Sequence, residues 1–495
     1  MNLTINGSDE TRDIQIIEGI TNLNRKKGFL HIDNLKNIRG EFVGVIAKGN
    51  HVYIFRDRVG GRSIYFGYLD PITICISTDP IHILNLNKKR KLDNEYFQKE
   101  YIPFQVPFGM RTPYLDVKRV PPATIIHFQF DNNIGMWTYF NNKYWRIDDY
   151  FGNEKFDSQY LLSLIKDSIL SRLSYINRSK YTTYLSGGID SSSIVSLVKP
   201  KEVFSGYYEE EYYSERDYIE VLHRHMNSFD YHLIPIKKER FHELLGNLNK
   251  IIPDPTGGLG IIAQIIVAQR AKECGYDYAF TGEGGDEIFF GYPWNRVVMR
   301  VARTITDLDQ DRYMIRWDPM IEIARQRSLP GFVNDLIKRD HSDSSYPDWI
   351  SSLWMPEEKV ENNIMKINIE VGLPAILMVD EYVGRFTGIE PISPFVDHKI
   401  IEYVASVNPE ERCRIPKNLL RQAMKDILPE KIRTRYDKMG FPVPYEKWDW
   451  PMLDLIPGTI KDTSYEYPIT MDRRAWGLLN MAMIMNMVKD GKEVS

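Results

Sequence analysis

The stretch Tyr181-Thr-Thr-Tyr-Leu185-Ser-Gly-Gly-Ile-Asp190-Ser-Ser-Ser193 decides the fold. A β-type run enters, two glycines turn the chain tightly, and a helical pattern leaves through Ile194–Val198. In such a turn the backbone N–H groups approach an anion closely, and the helix N-terminus adds partial positive charge. Ser186, Ser191 and Ser192 offer hydroxyls to phosphate oxygens, and Asp190 is placed to hold a magnesium ion. A Walker A loop is excluded, because its lysine and spacing are missing. Taken alone, the motif also reads as a plain β–α turn, since Ser, Gly and Asp are ordinary turn and N-cap residues.

Working outward, the same alternation repeats. Glu202–Tyr208 is a β run followed by helix-like Glu215–Met226; Tyr231–Ile236 is followed by Phe241–Asn249. After the loop Pro253–Gly260 comes a helical pattern over Ile261–Cys274, then the run Tyr278–Thr281. Strands alternating with helices at this spacing predict a parallel sheet covered on both faces. The last run ends in Phe280-Thr-Gly-Glu-Gly-Gly-Asp-Glu-Ile288, again at a strand's carboxyl end, where open α/β sheets bind ligands. Asp286 can complete the Mg²⁺ coordination begun by Asp190, and Glu283 can take a proton from an attacking amine. Upstream, Leu161, Leu162, Ile165, Ile169, Leu170 and Leu173 predict a helix. Before about residue 145 the chain is β-rich, with a hairpin signal in Glu41–Ala47, Lys48-Gly-Asn50 and His51–Phe55 and further runs at Ile72–Ser77 and Ala123–Phe130. From about residue 295 it reads as mostly helical with Pro-bearing loops, the Met-rich end Leu478–Met487 being a core helix.

Length alone suggests two or three domains, and the change from β-rich to alternating pattern divides the chain into 1–150 and 151–495. The chain has 495 residues, 43% hydrophobic and 26% charged, which excludes disordered and fibrous classes. With 63 Lys plus Arg against 67 Asp plus Glu, no basic excess points to nucleic acid. Cys75, Cys274 and Cys413 are too few and scattered for a disulfide framework or zinc site, and are expected as buried reduced thiols. The start, MNLTINGSDETRD, lacks signal-peptide character, and no apolar run reaches the roughly 18 residues of a membrane span. The expectation is a cytoplasmic protein with neither membrane nor nucleic-acid partner. His223, His225 and His232 are read as surface or packing residues, because i, i+2 spacing does not share a helix face.

The pair SGGIDSS and GEGGDE, in this order, resembles the ATP-pyrophosphatase domain of the asparagine synthetase family. Further stretches are similar to that family: Phe204-Ser with Ser214-Glu215, Asp254-Pro-Thr-Gly-Gly-Leu-Gly260, Gly388-Ile-Glu-Pro-Ile-Ser-Pro-Phe-Val-Asp-His-Lys399, Asn418–Met424 and Tyr436–Pro444. Gly40-Glu-Phe and Arg56-Asp-Arg-Val-Gly60 resemble the second half of its glutaminase domain. The resemblance implies an α/β protein: a β-rich remnant of an Ntn-type glutaminase sandwich, then a parallel-sheet ATP-pyrophosphatase (adenine nucleotide α-hydrolase-like) domain with a helical C-terminal part. It implies that a carboxylate attacks the α-phosphate of ATP, releasing pyrophosphate, and that ammonia or an amine then forms the amide. Leu185, Ser186, Gly187, Gly188, Asp190, Ser191, Ser192, Gly206 and Gly282 would bind ATP or pyrophosphate. Asp190 and Asp286 would hold Mg²⁺, while Glu283 and Lys438 would be catalytic, Lys438 offsetting charge at the α-phosphate.

Two departures qualify this. The family's glutaminase uses an N-terminal cysteine, whereas this sequence reads Met-Asn-Leu, so the expectation is a dead glutaminase site. Ammonia, an amine on the substrate, or a separate glutaminase would then supply nitrogen; a homodimer is compatible with either. Where the family carries Arg in Glu-x-Arg-x-Pro, this chain has Ile392, with Arg385 as an expected substitute from a shifted position. Aspartate amidation without intrinsic glutaminase is the expected reaction. The alternatives are an internal amide closure of the β-lactam-synthetase or lasso-peptide-cyclase kind, and amidation of another small-molecule or peptide carboxylate. A non-catalytic ATP-binding scaffold is opposed by the joint presence of Asp190, Glu283, Asp286 and Lys438. An RNA-thiolating relative is opposed by balanced charge and the lack of paired cysteines.

Overall fold

The structure is a computed structural model that describes residues 1–7, 13–21, 32–87, 91–101, 106, 107, 109–176, 180–209, 215–292, 295, 299, 353, 355, 357–436, 443, 444, 447–456 and 473–489. Its N-terminal strands are β1 (Asn2–Asn6), β2 (Asp13–Thr21), β3 (Gly40–Lys48), β4 (His51–Arg56), β5 (Tyr65–Asp70), β6 (Thr73–Ser77), β7 (Lys118–Arg119), β8 (Thr124–Asp131) and β9 (Met136–Lys143). They form two antiparallel sheets, ordered β2-β3-β4-β8-β9 and β1-β6-β5-β7. The β3–β4 hairpin closes at the pair Lys48↔His51 over Gly49-Asn50, where Gly49 takes the positive φ that tight hairpins need. Val43, Val45, Ile54 and Phe128 of one sheet pack with Phe66, Ile74 and Ile76 of the other. The opposite face of β3 is covered too, by Leu35 and Ile38 against Phe42 and Ile46, so β3 reads as a continuous apolar run rather than an alternating one.

Further along come α1 (Ser158–Leu173), β10 (Tyr181–Tyr184), α2 (Ile189–Val198), β11 (Glu202–Tyr207), α3 (Arg216–Met226), β12 (Asp230–Pro235), α4 (Gly260–Glu273), β13 (Tyr278–Phe280), α5 (Leu373–Thr387) and β14 (Glu390–Ile392). The five strands pair in parallel in the order β12-β11-β10-β13-β14. Alternation along each strand splits the core in two. Val203, Phe280 and Ile392 face α1, α2 and α3, while Phe204 and Ala279 face α4 and α5. The C-terminal helix α6 (Arg473–Lys489) buries Leu479, Met483 and Ile484, as its Met-rich pattern predicts.

Three readings are corrected. The helix expected over Phe241–Asn249 is two, Lys238–Leu245 and Leu248–Ile251, interrupted at Gly246-Asn247, residues that favour turns. Strand β14 lies in a stretch read as helical with loops; with Pro391 inside it, it is tolerated because it is a sheet edge. Cys274 is exposed rather than buried, at the end of α4, while Cys75 and Cys413 are buried.

Buried ion pairs tie the N-terminal sheets to the parallel-sheet part. Arg172 on α1 reaches Glu41 at 2.7 Å and Asp397 at 3.2 Å, and Arg119 holds Asp254 at 2.6 Å. The Arg56–Arg62 turn is organised by Asp57, whose carboxylate accepts from the N–H groups of Val59, Gly61 and Arg62. That turn delivers the Ser63 N–H to Glu381 at 2.9 Å and pairs Arg62 with Glu390. The motif that resembles part of a glutaminase thus serves here as a brace beside α5 and β14.

Candidate active site

The site lies at the carboxyl edge of β10 and β13, strands adjacent in the parallel sheet. After β10, Leu185 donates its N–H to the Phe204 carbonyl and keeps the chain on the sheet until the turn. Gly187 has φ +70°, and a Cβ there would lie 2.9 Å from Cβ of Tyr218, so the turn needs glycine twice over. Gly188 caps α2 without a side chain, leaving the first helical N–H groups to other partners. Ser191 Oγ accepts from the Ser186 N–H at 3.1 Å and lies 3.1 Å from Ser186 Oγ. Ser192 Oγ is buried and meets no hydrogen-bond partner among the described residues. A phosphate oxygen is the kind of group this cradle of hydroxyls and N–H donors accommodates.

The second turn folds directly onto the first. A Cβ on Gly282 would stand 2.8 Å from the Ser191 nitrogen, and one on Gly285 would stand 2.6 Å from Asp190 Cγ. Both glycines are therefore required by close approach of the two loops. Thr281 Oγ1 lies 2.8 Å from Ser393 Oγ, and Glu283, partly exposed, donates its N–H to Thr281 Oγ1 at 3.4 Å. Beneath the turn Glu287 is fully buried, accepts from Tyr292 OH, and has its carboxyl pushed up to about 8 by burial and by Asp286. Gly206, expected near the adenine, sits toward the carboxyl end of β11, opposite Ile234 of β12 and beside the same edge.

Asp190 and Asp286 do converge. Both carboxylates contact Nζ of Lys417, Asp286 Oδ1 at 2.6 Å, and Lys417 is buried beside the equally buried Asp190. Lys417 has φ +59° and precedes the short helix Asn418–Ala423. Sequence reasoning missed it: it borders the Asn418–Met424 match, but it lies 227 positions from Asp190. Two hard carboxylates converging on one cation fit Mg²⁺, which takes one or two carboxylates and completes its shell with waters and phosphates. Among the described residues no cluster of three His, Cys, Asp or Glu forms.

Around the first glycine-rich turn, Arg435 donates to the Gly187 carbonyl at 3.2 Å and to Glu215 at 2.7 Å, and stacks over Tyr218 with 3.7 Å to the ring centre. Lys438 lies outside the described residues, as does Ser214. Arg385 does not stand in for the missing arginine. Its guanidinium is taken by Glu381 and by the Thr78 carbonyl, because α5 turns this residue toward the N-terminal sheets. Ile392 is fully buried in the core.

The asparagine synthase family profile matches residues 161–493. Asparagine synthetase [glutamine-hydrolyzing] 1 of Bacillus subtilis is 26% identical over 457 residues, covering 83% of this chain and 69% of that protein. A second B. subtilis relative, asparagine synthetase [glutamine-hydrolyzing] 3, is 22% identical over 66% of this chain and 56% of its own length. The putative asparagine synthetase 2 of Methanocaldococcus jannaschii is 26% identical, covering 56% of this chain and 53% of itself. A solved glutamine phosphoribosylpyrophosphate amidotransferase from B. subtilis matches with a TM-score of 0.18 at 8% identity over 57% of this chain and 64% of that one, which carries no argument. The match to the profile spans both glycine-rich turns, the Lys417 segment and the parallel sheet between them, and the chain belongs to the asparagine synthase family.

Proposed function

We propose that this protein is an ATP-dependent amide-forming ligase that amidates aspartate without an intrinsic glutaminase. The observation that carries the reading is the meeting of the two glycine-rich turns at one sheet edge, with Asp190 and Asp286 converging. In this reading the substrate carboxylate attacks the α-phosphate of ATP, the α–β phosphoanhydride bond breaks, and pyrophosphate leaves. The amine nitrogen then attacks the acyl carbon, AMP departs, and the nitrogen's proton passes to Glu283. Ser186, Ser191, Ser192 and the N–H groups of Gly187 and Gly188 would bind the departing pyrophosphate, Gly282 would admit it, and Leu185 and Gly206 would flank the adenine. Asp190 and Asp286 would hold Mg²⁺, which would supply charge neutralisation for the phosphates. Lys438 would offset charge at the α-phosphate.

Ammonia, an amine or a separate glutaminase would supply nitrogen. Cys75 supports this: the cysteine among the N-terminal sheets is buried in β6, and burial pushes its thiol up, away from nucleophilic character. An internal amide closure is the second reading, favoured by Ile392 at the position where the family carries arginine. The test is pyrophosphate release from MgATP with aspartate, with and without ammonium, glutamine being added separately. Ammonium-dependent asparagine, with none from glutamine, is the expected result. If aspartate elicits no pyrophosphate release or exchange, the aspartate reading fails.

A further inference from the structure

Two histidines stand side by side on the N-terminal sheet β2-β3-β4-β8-β9, on the face turned away from the second sheet. Val52, Ile54, Ile126 and Phe128 pack between the two sheets, so alternation along β4 and β8 sends His51, Tyr53 and His127 to the other face. His51 lies opposite Gln129 and His127 opposite Tyr53, which makes the two histidines diagonal neighbours on adjacent antiparallel strands. Nδ1 of His51 is 2.9 Å from Nε2 of His127, and the ring centres are 5.1 Å apart. Both residues are half-buried. His127 is held on two sides, stacked on Tyr53 at 4.2 Å and met edgewise by Phe140 at 4.6 Å.

A hydrogen bond between two imidazoles needs one facing nitrogen to be an unprotonated acceptor. Burial and the neighbouring ring also push His127 below its ordinary value, so the pair presents neutral bases, the form that ligates metal ions. Two imidazole nitrogens bound about 2.0–2.1 Å from one ion stand about 2.9 Å apart at a right angle and about 3.3 Å apart at the tetrahedral angle. Their ring centres then fall about 4.5–5.2 Å apart. The observed 2.9 Å and 5.1 Å meet both conditions after a small turn of the rings. We propose that His51 and His127 form a two-imidazole site for a divalent transition metal ion, Cu²⁺, Ni²⁺ or Zn²⁺, which would pin β4 to β8. The proton between the rings moves to the outer nitrogen of the ring that carries it, the ion takes its place, and water completes the shell. Imidazole favours these ions over Mg²⁺, which takes oxygen ligands, so the site is chemically distinct from Asp190 and Asp286. Lys48, opposite His51, is exposed and itself lies opposite Asp13 of β2, which offsets its charge.

The test uses the full-length, untagged protein carrying Cys274→Ser, which removes the exposed thiol, in excess Mg²⁺ to occupy oxygen ligands. NiCl₂ and ZnCl₂ are titrated calorimetrically into this protein and into its His51→Asn, His127→Asn and doubly substituted derivatives. The proposal expects one ion per chain, weakened at least about tenfold by either substitution, with the double variant losing less than the two single losses combined. Affinity unchanged by either substitution, or loss in one variant alone, overturns it. Urea unfolding should show a midpoint raised by Ni²⁺ in the parent protein and unmoved by Ni²⁺ in the double variant; equal shifts in both overturn it. Electron paramagnetic resonance of the parent protein with one equivalent of Cu²⁺ does not depend on any histidine variant folding. Hyperfine splitting from two nitrogens is expected, and a pattern from one nitrogen or from oxygen alone would leave only a hydrogen-bonded histidine pair and overturn the proposal.

Discussion

Replacing Lys417 by Met removes the ammonium from between Asp190 and Asp286 while keeping a long unbranched side chain. Both carboxylates touch one nitrogen, so their oxygens are within about 5 Å of each other. At an effective dielectric constant of about 20, two like charges at that distance repel by roughly 3 kcal/mol. Mutational experience with buried pairs that lose one partner gives about 3–5 kcal/mol, in agreement. Asp190 and Lys417 are both nearly inaccessible, so water cannot take up the difference. Thermal unfolding in EDTA should therefore show Lys417→Met melting well below wild type. Added Mg²⁺ should recover more stability in the variant than in wild type, because the cation can take the position the ammonium vacates. A variant that melts with wild type in EDTA, or one that Mg²⁺ leaves unaffected, would refute the argument that these two carboxylates need a shared cation.

Three further outcomes follow from the same geometry. Gly282→Ala places a methyl 2.8 Å from the Ser191 nitrogen, and Gly187→Ala adds one at φ +70° against Tyr218; each should depress pyrophosphate exchange at least tenfold, mainly through the KM for ATP, with little loss expected from an alanine at open Gly258. Glu287 binds its proton more tightly folded than unfolded. Its contribution is therefore complete below about pH 4.5 and is lost as pH rises toward 8, so Glu287→Gln should flatten the fall in urea-unfolding midpoint over that window. Arg119→Met strands Asp254, which is fully buried, and should cost about 3–5 kcal/mol in urea unfolding; Arg119→Met with Asp254→Leu should recover part of it, and additive losses would contradict a coupled pair.

Much of the parallel-sheet part was legible because its signals are local. The runs at Tyr181, Glu202, Tyr231 and Tyr278, each closing on a turn and followed by a helical period, identify strands β10 to β13 within a residue or so. Both glycine-rich turns declare close approach by composition alone. The signals faded where a segment is short or its partner is distant. β14 has three residues and a proline, and exists only because Tyr278, Ala279 and Phe280 pair with it. Cys274 looked like any other thiol of a helix end, and exposure depends on what packs there.

The sequence by itself determined the alternating β/α order, the two loops that bear hydroxyls and carboxylates, and the family those motifs belong to. Only the tertiary structure decided which charges meet. Lys417 reaches Asp190 across 227 positions, Arg385 turns toward Thr78, and Asp380 is left with one oxygen unmet among the described residues. Local patterns follow backbone periodicity over a few residues, whereas buried charges are paired by burial itself: a carboxylate withdrawn from water takes whichever cation or donor the packing brings within reach, however far away it lies in the chain.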